Sequence, residues 1–314
     1  MSFPIWRLRF AGSALAGALC LLGASLPAEA QEHTLYVSVT DGDGNPVTGL
    51  TQGDVTVRWD GENVQTTGFE AFGWPVRLTV FVDNSRHGAR SVEHMRDGLR
   101  ALLRELPDEM EVALLTTAWQ ARWITPHTSD RAELERGISV ITPDTNAPAR
   151  FIDPLAGEAA RIDHDDDREY YPVVVMVGAH LVDSSTSQQG RVDRMVERLV
   201  DNAVEVHTLQ FVTPSTFTHR RAVIGDPVIG EVLVPITRGS FEEITDRRTF
   251  VEKLATLGRD IARKHRVVSS QYRVTYRQPR NPSPQPAIDV VTERQGLHMI
   301  PTLDGNVPAR MPEM

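Results

Sequence analysis

The stretch Leu78-Thr-Val-Phe-Val-Asp83-Asn-Ser85-Arg-His87-Gly88, together with Val173-Val-Val-Met-Val-Gly178-Ala-His180, decides the fold. Both are short, nearly continuous apolar runs rich in β-branched residues, and each ends in polar loop chemistry. Such runs read as central strands of a parallel sheet, covered on both faces by helices. Ligands of such sheets gather at the carboxyl ends of the strands. There the first run delivers a carboxylate, Asp83, and a hydroxyl, Ser85. The second delivers only Gly178 and Ala179.

Outward from this pair, strand and helix patterns alternate. Further strands are expected at Glu111–Thr117 and Glu205–Phe211, with helices near 89–105, 130–140, 153–163, 188–202 and 247–264. In the first helix Val92, Met95, Leu99, Leu102, Leu103 and Leu106 recur at helical spacing. Alternation of this kind predicts an α/β domain with a doubly wound, mostly parallel sheet over 75–266. The flanks differ. Residues 31–74 and 267–301 show strand alternation, as in Leu35-Tyr-Val-Ser-Val39 and Ser270-Gln-Tyr-Arg-Val-Thr-Tyr276. Neither flank has enough strands to bury a face, so the two are expected to pair into one small β-sandwich. Residues 302–314 read as a flexible tail, and the segment from Val212 to Pro235 as a long connection.

Residues 1–30 read as a signal peptide: Arg7 and Arg9 precede an apolar stretch, and Ala28-Glu-Ala30 has the small-x-small form of a cleavage site. Their removal takes away two Arg and one Glu, moving the formal charge from −9 to −10. The expectation is a periplasmic or secreted acidic protein with no membrane span after signal removal. Its charge offers no electrostatic case for nucleic acid. The single cysteine, Cys20, leaves with the signal, which excludes disulfides and thiolate catalysis.

The segment Val39-Thr-Asp-Gly-Asp-Gly-Asn-Pro-Val-Thr-Gly-Leu-Thr51, then Val80-Phe-Val-Asp83-Asn-Ser85, and a closing helix running from Ala255 into the strand at Tyr272 and Tyr276 together resemble bacterial exported proteins with a von Willebrand factor type A-related domain. The resemblance implies a metal-ion-dependent adhesion site built from an Asp-x-Ser-x-Ser loop, a threonine of a second loop and an aspartate after a later strand. Asp83 and Ser85 match the first loop, but His87 stands in place of the second serine. The threonine position falls near Ala149 and the aspartate on Gly178. Magnesium demands near-octahedral oxygen ligation and dehydrates reluctantly, so one carboxylate and one hydroxyl make a poor site. The expectation is a degenerate site with no cofactor.

Other constellations are weaker. Asp41, Asp43 and Asn45 have calcium-loop spacing, but Pro46 and Gln52 stand where such a loop needs a glycine and a bidentate acid, so a β-turn is expected. The run His164-Asp165-Asp166-Asp167 reads as a solvated loop; were it instead a helix exit, its charge would oppose the helix dipole and the helix would end before Asp163. Trp119 and Trp123 flank Gln120-Ala-Arg122, and Trp74 sits at a domain junction; each reads equally as an interface anchor or a core plug. No nucleophile elbow, zinc-helix or phosphate-loop motif occurs, so no enzyme activity is expected. The sequence thus points to a non-enzymatic module that binds a protein partner in the cell envelope, with Asp83, Ser85 and His87 at the binding face. The alternative is a metal-dependent adhesion or metal-sensing module, in which Mg or Mn is held by Asp83 and Ser85 with help from Asp153 or the acids of 163–167.

Overall fold

The computed structural model describes residues 31–178, 185, 189–212, 229–279, 283 and 286–309. The expected signal peptide, His180 and most of the long 212–235 connection lie outside the described residues. The amino-terminal strands are β1 (Glu32–Thr40), β2 (Thr56–Trp59), β3 (Glu62–Asn63) and β4 (Thr66–Phe72). The central region holds β5 (Val76–Val82), α1 (Val92–Glu105), β6 (Val112–Thr116), β7 (Arg122–Thr128), α2 (Arg131–Val140), α3 (Ile152–Asp163), β8 (Tyr171–Gly178), α4 (Gln189–Asp201), β9 (Glu205–Phe211), α5 (Ile229–Thr237), β10 (Phe241–Ile244) and α6 (Phe250–Val268). Strands β11 (Gln271–Arg277), β12 (Ile288–Val291) and β13 (His298–Thr302) close the chain.

The central sheet runs β10-β9-β8-β5-β6-β7, and every neighbouring pair is parallel except β6 and β7. The two diagnostic runs are adjacent, with Leu78 opposite Val173 and Val82 opposite Val177. Alternation sorts their side chains. Leu78, Val80 and Val82 meet Met95, Leu99 and Leu102 of α1, Leu134 and Ile138 of α2, and Phe250, Leu254, Leu257 and Ile261 of α6. Phe81, Val174 and Met176 point to the opposite face, against Leu155 and Ala159 of α3 and Met195 and Leu199 of α4. Phe81 is fully buried, and a side chain of its size stabilises by about 1.5–3 kcal/mol on burial. This is the expected doubly wound α/β fold.

The two ends of the chain do pair. β1 lies antiparallel between β11 and β13, β4 flanks β11, and β12 pairs with β2 in a second, three-stranded sheet. Val37, Val57, Trp59, Tyr272, Val274 and Val290 share the core between these sheets. Trp74 is the wedge at the junction, its ring 5.3 Å from Phe72 and 5.7 Å from Tyr171. Asp41 Oδ1 accepts the N–H groups of Asp43 and Asn45 at 2.9 and 2.8 Å, making the expected turn.

Several expectations need correction. Strands β7 and β10 were not anticipated: β7 carries Pro126 and β10 is four residues long, so neither shows a strong apolar period. Part of the expected 212–235 connection is helix, since α5 begins at Ile229. Helix α3 ends at Asp163 as the expected 153–163 span has it, and the Asp163 charge at the unfavourable carboxyl end is met by Arg198 Nε at 2.9 Å. Residues 303–309 of the expected tail are anchored. Asn306, Val307 and Ala309 are buried beneath the amino ends of the strands, where Lys264 Nζ donates to Val307 O at 2.7 Å.

Candidate functional site

The crest of the sheet, at the carboxyl ends of β5, β6 and β8, is built from three loops that hold one another. Asp83 N–H donates to Val177 O (2.8 Å), extending the ladder by one residue, and Asp83 Oδ1 accepts Ser85 N–H (2.9 Å). Ser85 Oγ in turn accepts His87 N–H (3.2 Å). This is Asx- and Ser-turn chemistry, in which short polar side chains replace ladder bonds where the strand ends. Gly88 is required by the fold-back: a Cβ there would lie 2.1 Å from Asp83 O.

Asn84 laces the other loops to this turn. Its Nδ2 donates to Thr142 O (3.0 Å), its Oδ1 accepts Ala118 N–H (3.1 Å), and its carbonyl accepts Asp144 N–H (2.7 Å). Arg86 N–H donates to Ala147 O (3.0 Å), and Ala118 bridges Ala149. Among the residues expected at a binding face, Asp83 and Ser85 are fully buried and only His87 is partly exposed, its Nε2 receiving Arg86 Nε–H at 3.1 Å.

The ligand positions of a metal-ion-dependent site can be tested directly. A Cβ on Gly178 would lie 2.7 Å from Phe151 Cζ and 3.3 Å from Asp83 Cβ, so an aromatic ring occupies the space a carboxylate would need. Ala149, near the threonine position, is buried in a β-bridge and offers no side-chain oxygen. Among the described residues no group of three or more His, Cys, Asp or Glu side chains is placed to hold a metal ion. The acids of 163–167 precede β8, an eight-residue strand spanning about 25 Å, and so lie at the far end of the sheet. Asp153 is at the crest, in the first turn of α3, with its N–H donating to Ser185 Oγ at 3.1 Å. Of the ligand positions the resemblance implies, Asp83 and Ser85 alone carry a side-chain oxygen.

What the crest does offer is a hairpin flanked by two clefts. The β6–β7 connection rises beyond the sheet, and at its tip Trp119 adopts φ +58° while Gln120 N–H donates to Ala118 O at 2.7 Å. A left-handed conformation in a bulky residue costs on the order of 1–3 kcal/mol and persists only where the surroundings enforce it. Here Asn84 and Ala149 pin Ala118. The Trp119 side chain is nevertheless 51% exposed and Trp123 is 43% exposed. One cleft, of about 630 Å³, runs from Asn84 and Asp144 past Trp119 and Arg122 to Ile141. The other, of about 490 Å³, lies between Trp119, Trp123 and the α3 residues Pro154 and Gly157. Arg150 lines both.

Beneath the second cleft lies a polar cluster that no sequence motif announced. Thr79 Oγ donates to Glu158 Oε1 (2.8 Å), and Arg161 clamps Glu158 through two bonds of 2.7 and 2.8 Å. With its hydrogen committed to Glu158, Thr79 accepts from His127 Nε2–H (3.0 Å), which fixes the tautomer. Burial, reinforced by the charge of Arg161, lowers the His127 pKa to about 4, so the ring is neutral at physiological pH. Every member has a partner, so the cluster supports the cleft floor. The clue in the sequence was Thr79 inside an apolar strand.

The chain matches no protein-family model and no curated protein. Among solved structures it is similar to a von Willebrand factor type A protein from Catenulispora acidiphila, at 10% identity over 88% of this chain and 74% of that one, with a TM-score of 0.49. It is also similar to the SpRpn10 VWA domain (13% identity, 57% and 95% covered, TM-score 0.41) and to the conserved hypothetical protein BatB from Bacteroides thetaiotaomicron (13%, 58% and 99%, 0.40). At these identities and scores the likeness brings no activity, ligand or partner to this chain. No helix among the described residues is long and apolar enough to cross a membrane.

Proposed function

We propose that this chain is an exported, non-enzymatic protein-interaction module, with a von Willebrand factor A-like domain whose metal site is non-functional. Its binding face is the crest of the central sheet. The observation that carries the reading is the Phe151 ring packed against Gly178, which fills with carbon the place where the fold would present a carboxylate. Asp83 and Ser85 then serve the shape of the loop, while contact with a partner falls to the exposed hairpin and the clefts beside it. Export rests on the amino-terminal leader pattern, and a cell-envelope partner follows from export.

Calorimetric titration of Mg, Mn, Ca and Zn into the purified protein tests the metal claim, with Asp83→Ala as control. No saturable heat is expected from any of the four. A heat of binding that disappears in Asp83→Ala overturns the proposal in favour of metal-dependent adhesion or metal sensing.

A further inference from the structure

The two clefts at the crest are lined by Arg122, Arg150, Arg161 and Arg191 against Asp144, Asp153 and Glu158, a small positive excess on an acidic chain. Arg122, Arg150 and Arg191 line the two clefts, and none of the three guanidinium groups has a hydrogen-bond or ion-pair partner among the described residues. Arg150 Nε is buried without a partner as well. Elsewhere among the described residues about half of the arginines pair with carboxylates, as Arg77 does with Glu111, Arg161 with Glu158 and Arg198 with Asp163, while Arg90, Arg104 and Arg136 show no such partner. Between the unpaired cations stand Trp119 and Trp123, the two most exposed tryptophans among the described residues, Trp119 held on a left-handed backbone. Desolvated aromatic and arginine side chains are the residue types that dominate protein interfaces. Both clefts also have the volume of ordinary ligand sites.

We infer that the hairpin clefts bind an acidic peptide segment of a partner protein, with an apolar side chain seated between Trp119, Trp123 and Pro154 and flanking carboxylates on Arg150, Arg122 and Arg191. This rests on the crest being a protein-binding face. Nucleic acid and anionic membranes would also meet arginine and tryptophan, but both are extended polyanions. They would face the net negative charge of the rest of the chain. A short acidic segment lies within about one screening length, roughly 8 Å, of the local cations and gains from them alone.

The test uses three probes in chelator-containing buffer: a fluorescein-labelled dodecapeptide of repeating Glu-Phe-Glu-Gly, the same peptide with Lys for Glu, and phosphatidylcholine vesicles containing phosphatidylglycerol. The acidic peptide is expected to raise anisotropy saturably and to quench tryptophan fluorescence, at least about tenfold more tightly than the lysine peptide. Trp119→Ala, Arg150→Gln and Arg191→Gln should each weaken it by about tenfold or more, with thermal melts confirming that each variant folds. Equal binding of the lysine peptide, preference for vesicles, or affinity indifferent to all three substitutions overturns the proposal. So does an acidic peptide that fails to bind while a photocrosslinker at Gln120 traps envelope proteins in a Trp119-dependent way; that result removes the ligand class and leaves the protein-binding face standing. A metal heat lost in Asp83→Ala, by contrast, removes the face's metal-free reading itself.

Discussion

The two ends of the central sheet handle charge in opposite ways. At the base, Glu205 and Lys264 are completely buried, and every atom of the pair is engaged. Lys264 Nζ donates to Glu205 Oε2 (2.7 Å), to Val307 O (2.7 Å) and to Asn306 Oδ1. Glu205 Oε1 accepts Ala309 N–H (2.9 Å), with His207 Nε2 at 3.0 Å. At the crest, Arg122, Arg150 and Arg191 have no partner among the described residues and the Trp119 backbone is strained. A wholly buried ion pair such as Glu205–Lys264 needs its partners, because removal from water is offset only by pairing. Partly exposed cations can wait for a ligand. The base therefore holds the C-terminal strap of 303–309 in place, and the crest leaves these three arginines unpaired among the described residues.

The largest expected effect breaks the base. Lys264→Met leaves the Glu205 carboxylate buried without its cation, and loss of one partner of such a pair costs about 3–5 kcal/mol. Urea denaturation should read that loss, and the double variant Lys264→Met/Glu205→Gln should recover most of it. Acid reads the same cluster. Burial raises the Glu205 pKa, but Lys264 and His207 outweigh it and hold the carboxyl at about 2, below its ordinary 4.5. The folded state thus keeps a carboxylate that the unfolded chain protonates. This stabilisation is complete above about pH 4.5 and drains away as pH falls toward 2. If neither substitution nor acid loosens the strap, the base is not the anchor described here.

The contrast also marks what a sequence can carry. Strands β5 and β8 were legible because β-branched runs buried on both faces have few alternatives, and α1 and α6 because their apolar stripes are long. The pairing of the chain ends followed from strand count. At the crest, the gaps at Gly178 and Ala149 were readable, but Phe151 filling the gap was not, since no local pattern ties residue 151 to residue 178. The exposed hairpin was hidden for a related reason. β7 is an edge strand with Pro126 and exposed side chains, so its only signal was two tryptophans that read equally well as core. Lys264 and Glu205 sit 59 residues apart, and their pairing is a product of topology. Charged residues inside apolar stretches, such as Glu205 and Thr79's partner Glu158, were the available hints.

An intermediate effect separates the cleft floor from the cleft itself. His127 is held neutral with its pKa near 4, while in the unfolded chain it takes up a proton near 6.5. Its contribution is therefore intact above about pH 6.5 and falls as the pH drops toward 4, by about 2 kcal/mol at pH 5 and about 3 kcal/mol at pH 4. His127→Gln should flatten the stability profile in that window without touching the acid-labile step of Glu205 below it. Denaturant midpoints at pH 7.5 and 5, compared between the two proteins, measure it. A profile unchanged by the substitution means that the imidazole is not the titrating group.

The smallest effect is the sharpest, because it has the unusual sign. Trp119 holds φ +58° at a hairpin tip where glycine would sit without steric penalty. Its ring is half-exposed, so it contributes little burial to offset that strain. Trp119→Gly should therefore leave stability unchanged or raise it by about 1 kcal/mol, a melting shift of roughly 2–4 °C for a domain of this size. The added freedom of glycine in the unfolded chain works against the gain and sets its upper limit. A core tryptophan would behave oppositely, losing about 3–5 kcal/mol on truncation. A stable Trp119→Gly that no longer binds the acidic peptide would mean that the hairpin trades folding free energy for contact. A variant that melts many degrees lower would place Trp119 among the structural residues, and the crest would lose its distinction from the base.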